Sequence, residues 1–110
     1  MYRKYNDRVT GKEIRQAIEE VEGDARFESV RYVISDFLDV TEQDISPRDI
    51  EIIAAIDHAA ALTNPDIKVV VVATLLAIQG MASMYCELID DIPFTCKLFT
   101  SLEEARKWAE

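Results

Sequence analysis

The chain is short of the residues that build most recognisable sites: three glycines, three prolines, two cysteines and one histidine among 110 residues. So few glycines leave no loop with the spacing that cradles phosphates or a dinucleotide. Cys86 and Cys96 lack the CxxC spacing of zinc and thiol-redox sites, and an unpaired cysteine packs as a small hydrophobe, so two buried free thiols are expected. Basic residues are scarce as well. Twelve Lys and Arg face 21 Asp and Glu, for a net charge of -9, a balance that excludes nucleic acid and anionic membrane surfaces because both are repelled at long range. No apolar run approaches the ~20 residues of a membrane span. Met1 to Tyr5 is not followed by the apolar stretch of a secretory signal, so a reducing cytoplasm is the expected location.

What the chain does have is one continuous apolar stretch, Ile67 to Ala73, bounded by Asn64-Pro65 and by a helical pattern. A strand wetted on one side alternates apolar and polar residues, whereas one covered above and below reads as an unbroken Val/Ile run. Val69 to Val72 is therefore expected inside a sheet. Ahead of it, Tyr2 to Tyr5 predicts a short strand, and Thr10 with Glu13 forms a capping box that opens a helix with Ile14, Ala17, Ile18 and Val21 on its buried face. Val30 to Phe37 predicts the next strand. Ser46, Pro47 and Asp49 open a second helix whose stripe is Ile50, Ile53, Ala54 and Ala61. Ala77, Met81, Met84, Tyr85 and Leu88 mark a third helix, in which Gly80 predicts a close backbone approach or a break. Phe94 to Phe99 reads as an edge strand, and Ser101 with Glu104 boxes a last helix that buries Leu102, Ala105 and Trp108 or Ala109. Strand and helix thus alternate four times, which predicts a single α/β domain with a mostly parallel, four-stranded sheet.

Groups that carry chemistry are sparse. Asp36, Asp39, Glu42 and Asp44 read as a solvated acidic loop; clustered oxygens can hold Mg²⁺ or Ca²⁺, but the calcium-loop register and its glycine are missing, so no metal and no cofactor is expected. Asp57 and His58 are neighbours on a helix and point about 100° apart, which prevents either from supporting the other's chemistry and leaves His58 a surface residue. No Ser or Cys has a histidine in a supporting role, so no catalytic residue is assigned. Met81, Met84 and Phe99 are the candidates to line a cleft for an apolar small molecule or lipid, although core packing is the commoner use of methionine.

Taken in order, Val9-Thr10-Gly11-Lys12-Glu13, Ser35-Asp36, Lys68 to Val72, Gly80 to Tyr85 and Leu98 to Ala105 with Trp108 give the chain a resemblance to the STAS family, the anti-sigma-factor antagonist domains, and in particular to small bacterial STAS-like proteins. The resemblance implies four turns of a βα superhelix and a non-catalytic regulatory module that binds a protein partner. A partner is expected to dock at Asp44, Ser46 and Arg48, with Asp36 at the strand end: that loop lies at the carboxyl end of the sheet, the helix start presents free amides, and Asp44 with Ser46 fits the docking site the resemblance implies. Members that are switched by phosphorylation carry Asp-Ser-Ser-Gly there; Asp44-Ile45-Ser46-Pro47 keeps Asp44 and Ser46 but loses the second serine and the glycine. A two-fold dimer through the Phe94 to Phe99 edge or the last helix is a further expectation.

Overall fold

Four strands lie side by side in chain order in the computed structural model, which describes residues 1–110: β1 (Tyr2–Thr10), β2 (Tyr32–Asp44), β3 (Lys68–Val72) and β4 (Thr95–Phe99). All three pairings are parallel. Each link must therefore cross over the sheet, and α1 (Gly11–Glu22), α2 (Pro47–Ala60) and α3 (Leu76–Leu88) are those crossovers. Strands added one after another on the same side, by crossovers of one hand, put their helices on one face. The buried sides of α1, α2 and α3 accordingly share one core that Val33, Val69 and Val71 join from the sheet. The last helix, α4 (Leu102–Ala109), leads to no further strand and covers the opposite face, against Ile34, Val70 and Val72.

The expected α/β architecture with Val69 to Val72 inside the sheet is what forms, since β3 pairs with β2 on one side and β4 on the other. Three helix starts follow from their caps. Thr10 Oγ1 accepts from the Glu13 amide at 3.2 Å, Ser46 Oγ from the Asp49 amide at 3.1 Å and Ser101 Oγ from the Glu104 amide at 3.4 Å. At the second of these the Asp49 carboxylate also accepts from the Ser46 amide at 2.9 Å, which closes the capping box and holds Asp49 ionised below its ordinary range.

The acidic segment after Asp36 is strand rather than loop. β1 continues to Thr10 and pairs with β2 as far as Asp44, through register shifts at Lys4/Asn6 and Asp7/Arg8 and a positive φ of 57° at Asp7. Its acidic residues face out while Phe37 and Val40 turn in, and β1 supplies the missing cations: Lys4 meets Asp39 at 2.7 Å and Arg8 meets Asp44 at 2.9 Å. Gly80 neither breaks α3 nor allows a close approach; it is exposed and has no neighbour where a Cβ would stand. The buried stripe of α3 is Ile78, Ala82 and Tyr85, one residue out of phase with the expected one, which leaves Ala77 and Leu88 exposed.

The cysteines are not free. Cys86 of α3 and Cys96 of β4 form a disulfide with Cα atoms 5.5 Å apart, because α3 folds back antiparallel to its neighbouring strand and brings two half-buried positions ten residues apart into register. Spacing that rules out a metal or CxxC site does not rule out this pairing.

Candidate functional site

The sheet face of β2 and β3 and the three crossover helices do not close on one another. Between them lies a cavity of about 110 Å³. Val33 and Val69, in the two inner strands and beneath the helices, keep part of their surface uncovered because they border it. Small residues on the helices explain the gap: Ala17 on α1 and Ala82 on α3 turn toward the sheet where longer side chains would fill the space. Tyr5 stacks on Phe37 at 4.8 Å between ring centroids and walls one side; Ile53, Ile78 and Met81 wall the other.

One end of this apolar chamber is acidic. Asp57, 6% exposed, projects from α2, Glu22 from the last turn of α1 and Tyr85 from α3, and all three line the cavity. Glu22 and Asp57 are hydrogen-bonded to each other, and the Tyr85 hydroxyl donates to Asp57 Oδ2. Burial is the main cause of the perturbation in each group. It pushes the Glu22 carboxyl up to about 9, helped by the Asp57 hydrogen bond and charge, raises Asp57 against the opposing pull of its bonds from Glu22 and Tyr85, and raises the Tyr85 phenol. The two carboxyls therefore share a proton around neutral pH and titrate as a pair. Asp57 sits on the apolar stripe of its own helix, three residues from Ala54 and seven from Ile50, and Glu22 stands four residues beyond Ile18. A polar residue in phase with a buried stripe was the signal in the sequence that would have singled them out.

His58, next in sequence to Asp57, turns away as helical geometry requires. Its Nδ1 bonds the Ala54 carbonyl and its Nε2 the Asp91 carboxylate, both at 2.7 Å, and the two acceptors raise its pKa. The remaining cation beside the chamber, Arg3, is held by Glu20 at 3.2 Å.

Of the residues proposed for a cleft, Met81 lines the cavity, Met84 packs on the core without reaching it, and Phe99 lies on the opposite face of the sheet with Trp108. Of those proposed for docking, Asp44, Ser46 and Arg48 stand together and exposed at the start of α2. Asp36 does not join them: it is 3% exposed on the α4 side of β2, where the Tyr2 hydroxyl and the Leu38 amide donate to it. No group of three or more His, Cys, Asp and Glu side chains is placed to hold a metal ion, and no helix is long and apolar enough to cross a membrane.

Set against known proteins, the chain matches no family model, no curated protein and no solved structure. The STAS resemblance therefore stands on the residues quoted for it and on nothing further.

Proposed function

We propose that this is a non-catalytic binding domain whose ligand is a small apolar molecule held between the sheet and helices α1 to α3. The cavity carries the reading. Protein interiors pack like organic crystals, with few voids larger than a water molecule, whereas this one has about 110 Å³. Its wall is apolar at 20 of 24 residues, so the space offers water few partners and suits a hydrocarbon body. Xenon, a neutral probe with no head group, tests it: dissolved under pressure it should shift the methyl NMR signals of Ile53 and Val71, both on the wall. Ala82→Leu should fill the space, abolish those shifts and raise stability by about 0.5–2 kcal/mol. Unshifted methyls in the parent protein, or unchanged shifts in the filled variant, would remove the cavity from consideration as a site.

The regulatory, protein-binding module implied by the STAS resemblance is the second reading. It is supported by the exposure of Asp44, Ser46 and Arg48 side by side at a helix start. Ser46→Ala should cost about 1 kcal/mol through the cap alone, while Ser46→Asp keeps a good cap and adds charge to the surface. If a co-purifying protein binds Ser46→Asp as tightly as the parent, that surface is not its dock. This reading brings with it a bacterial cytoplasmic setting, in which the Cys86–Cys96 bond would form only transiently. It also brings the two-fold dimer through the β4 edge or α4, which sedimentation at high micromolar concentration resolves from a monomer.

A further inference from the structure

Two carboxyl groups facing one apolar chamber are an expensive arrangement unless something repays them. When both ionise they repel, and Asp57, buried at 6% exposure, has almost no bulk water to screen it. No cation of the chain bonds to either carboxyl; His58 acts on Asp57 only through its charge. Arg3, the one basic residue on the cavity wall, is bound to Glu20 at 3.2 Å, and His58 faces outward to Asp91 at 2.7 Å. What reaches the chamber is three oxygen-bearing groups, Glu22 from α1, Asp57 from α2 and Tyr85 from α3, arranged around one end of a hydrocarbon wall. Three elements far apart in sequence converge on that point, and a packing role alone would be served as well by apolar residues of similar volume.

The geometry points to a small primary amine as the ligand, its ammonium held by Glu22, Asp57 and the Tyr85 oxygen and its apolar body lying in the cavity. The inference rests on the cavity being a ligand site, and it names the head group that site selects. An ammonium carries three donors and no acceptor, which matches two carboxylates and a phenol oxygen. An alcohol offers a single donor and no charge, and a carboxylate adds a third negative group. The volume limits the body. At about 110 Å³ the chamber is smaller than an engineered cavity of ~150 Å³ that admits benzene, which leaves room for roughly four or five carbons.

Binding also moves a proton. The ammonium takes the place of the proton shared by Glu22 and Asp57, which leaves to solvent. The groups that set this exchange are Glu22 and Glu19 on α1, Asp57 and His58 on α2, Tyr85 on α3 and Arg3 on β1. Glu22 and Asp57 are the pair that gives up the proton to the ammonium; His58, held outward by Asp91, stays apart from the exchange, and Tyr85 stays protonated because burial raises its phenol.

The test uses the full chain and three probes with matched branched bodies: isobutylamine, isobutanol and isobutyrate. Followed by the methyl signals of Ile53 and Val71 near neutral pH, isobutylamine should bind at least about tenfold more tightly than isobutanol, and isobutyrate should not bind. Calorimetry in two buffers of different ionisation enthalpy should show a proton released with the amine and none with the alcohol. Glu22→Gln, at a half-exposed position, should bring the ratio of amine to alcohol affinity down to about one; Asp57→Asn should do the same, its fold checked from the same spectra. Equal affinity for amine and alcohol, or a preference that survives both variants, overturns the amine assignment while isobutanol binding still upholds the cavity. If isobutanol also leaves those methyls unmoved, the site and the assignment fall together.

Discussion

Asp57 shows how much a single residue can decide in this core. Buried on the apolar stripe of α2, it is kept there by bonds from Glu22 and Tyr85, and it ties three helices together through polar groups in an otherwise hydrocarbon layer. The linkage with pH follows from the direction of the shifts. Burial raises Glu22 and Asp57 above their unfolded values, Glu22 to about 9, so between pH ~4.5 and ~9 this pair holds more protons in the folded protein than in the unfolded chain. Stability from the pair is complete below the unfolded carboxyl range and is lost as pH rises through the folded values. A melting temperature measured across that window should fall with rising pH, and Glu22→Gln should flatten the slope; a melting temperature that rises from pH ~5 to ~9 would contradict a shared buried proton. Gly80 carries the opposite lesson, a residue with no structural duty. It lies in the middle of α3 with open space around its missing Cβ, so Gly80→Ala should stabilise by about 0.5–1 kcal/mol, read as a shift in the denaturant midpoint without a change in slope.

At the scale of elements, the informative case is β2. Asp39 to Asp44 looked like loop because its residues are mostly acidic and no basic partner lies nearby in sequence, yet the strand forms because its partner is β1, some 35 residues away. Lys4 and Arg8 answer Asp39 and Asp44, and Val40, 4% exposed, is anchored in the helix-side core. Val40→Asp should therefore lower the melting temperature severely by burying an unpaired charge, while Glu42→Ala, two residues on and exposed, should stay within about 0.5 kcal/mol of the parent. Equal effects would mean the segment is loop after all. Elements whose signals are local were legible from the sequence: the caps at Thr10, Ser46 and Ser101 and the unbroken Val run of β3. What escaped depends on contacts between distant segments. The extension of β1 and β2, the inward turn of Asp57 toward Tyr85 and the pairing of Cys86 with Cys96 are fixed by tertiary partners, and no short window of residues contains them. Met81 borders the cavity although the α3 stripe was read one residue out of phase, because a half-buried position beside the true stripe still reaches the wall. Phe99 does not, because the period-2 geometry of β4 sends it to the face that α4 covers.

For the whole molecule, sequential strand order has a mechanical consequence. Each strand is held by its neighbours in the chain, so β4, last in the sheet, has a partner on one side only, and its helix-side cover is α3. The Cys86–Cys96 bond fastens these two elements to each other at the edge, across the short connection that contains Pro93 and buried Phe94. The same edge bears on the cavity, because α3 supplies Ile78, Met81, Ala82 and Tyr85 to its wall, and a looser α3 would let that wall move. Closing a loop ten residues long removes entropy from the unfolded chain worth roughly 2–3 kcal/mol, so reduction, or the pair Cys86→Ala and Cys96→Ala, should lower the free energy of unfolding by about that amount. The loss should be local first. Amide exchange in α3 and β4 should speed up on reduction while β1 and β2, which share no residue with the bond, keep their protection. Mass analysis after alkylation without reductant checks the premise: a chain that takes up two alkyl groups has no bond to lose. Uniformly faster exchange across all four strands would show instead that the edge and the rest of the sheet open as one unit.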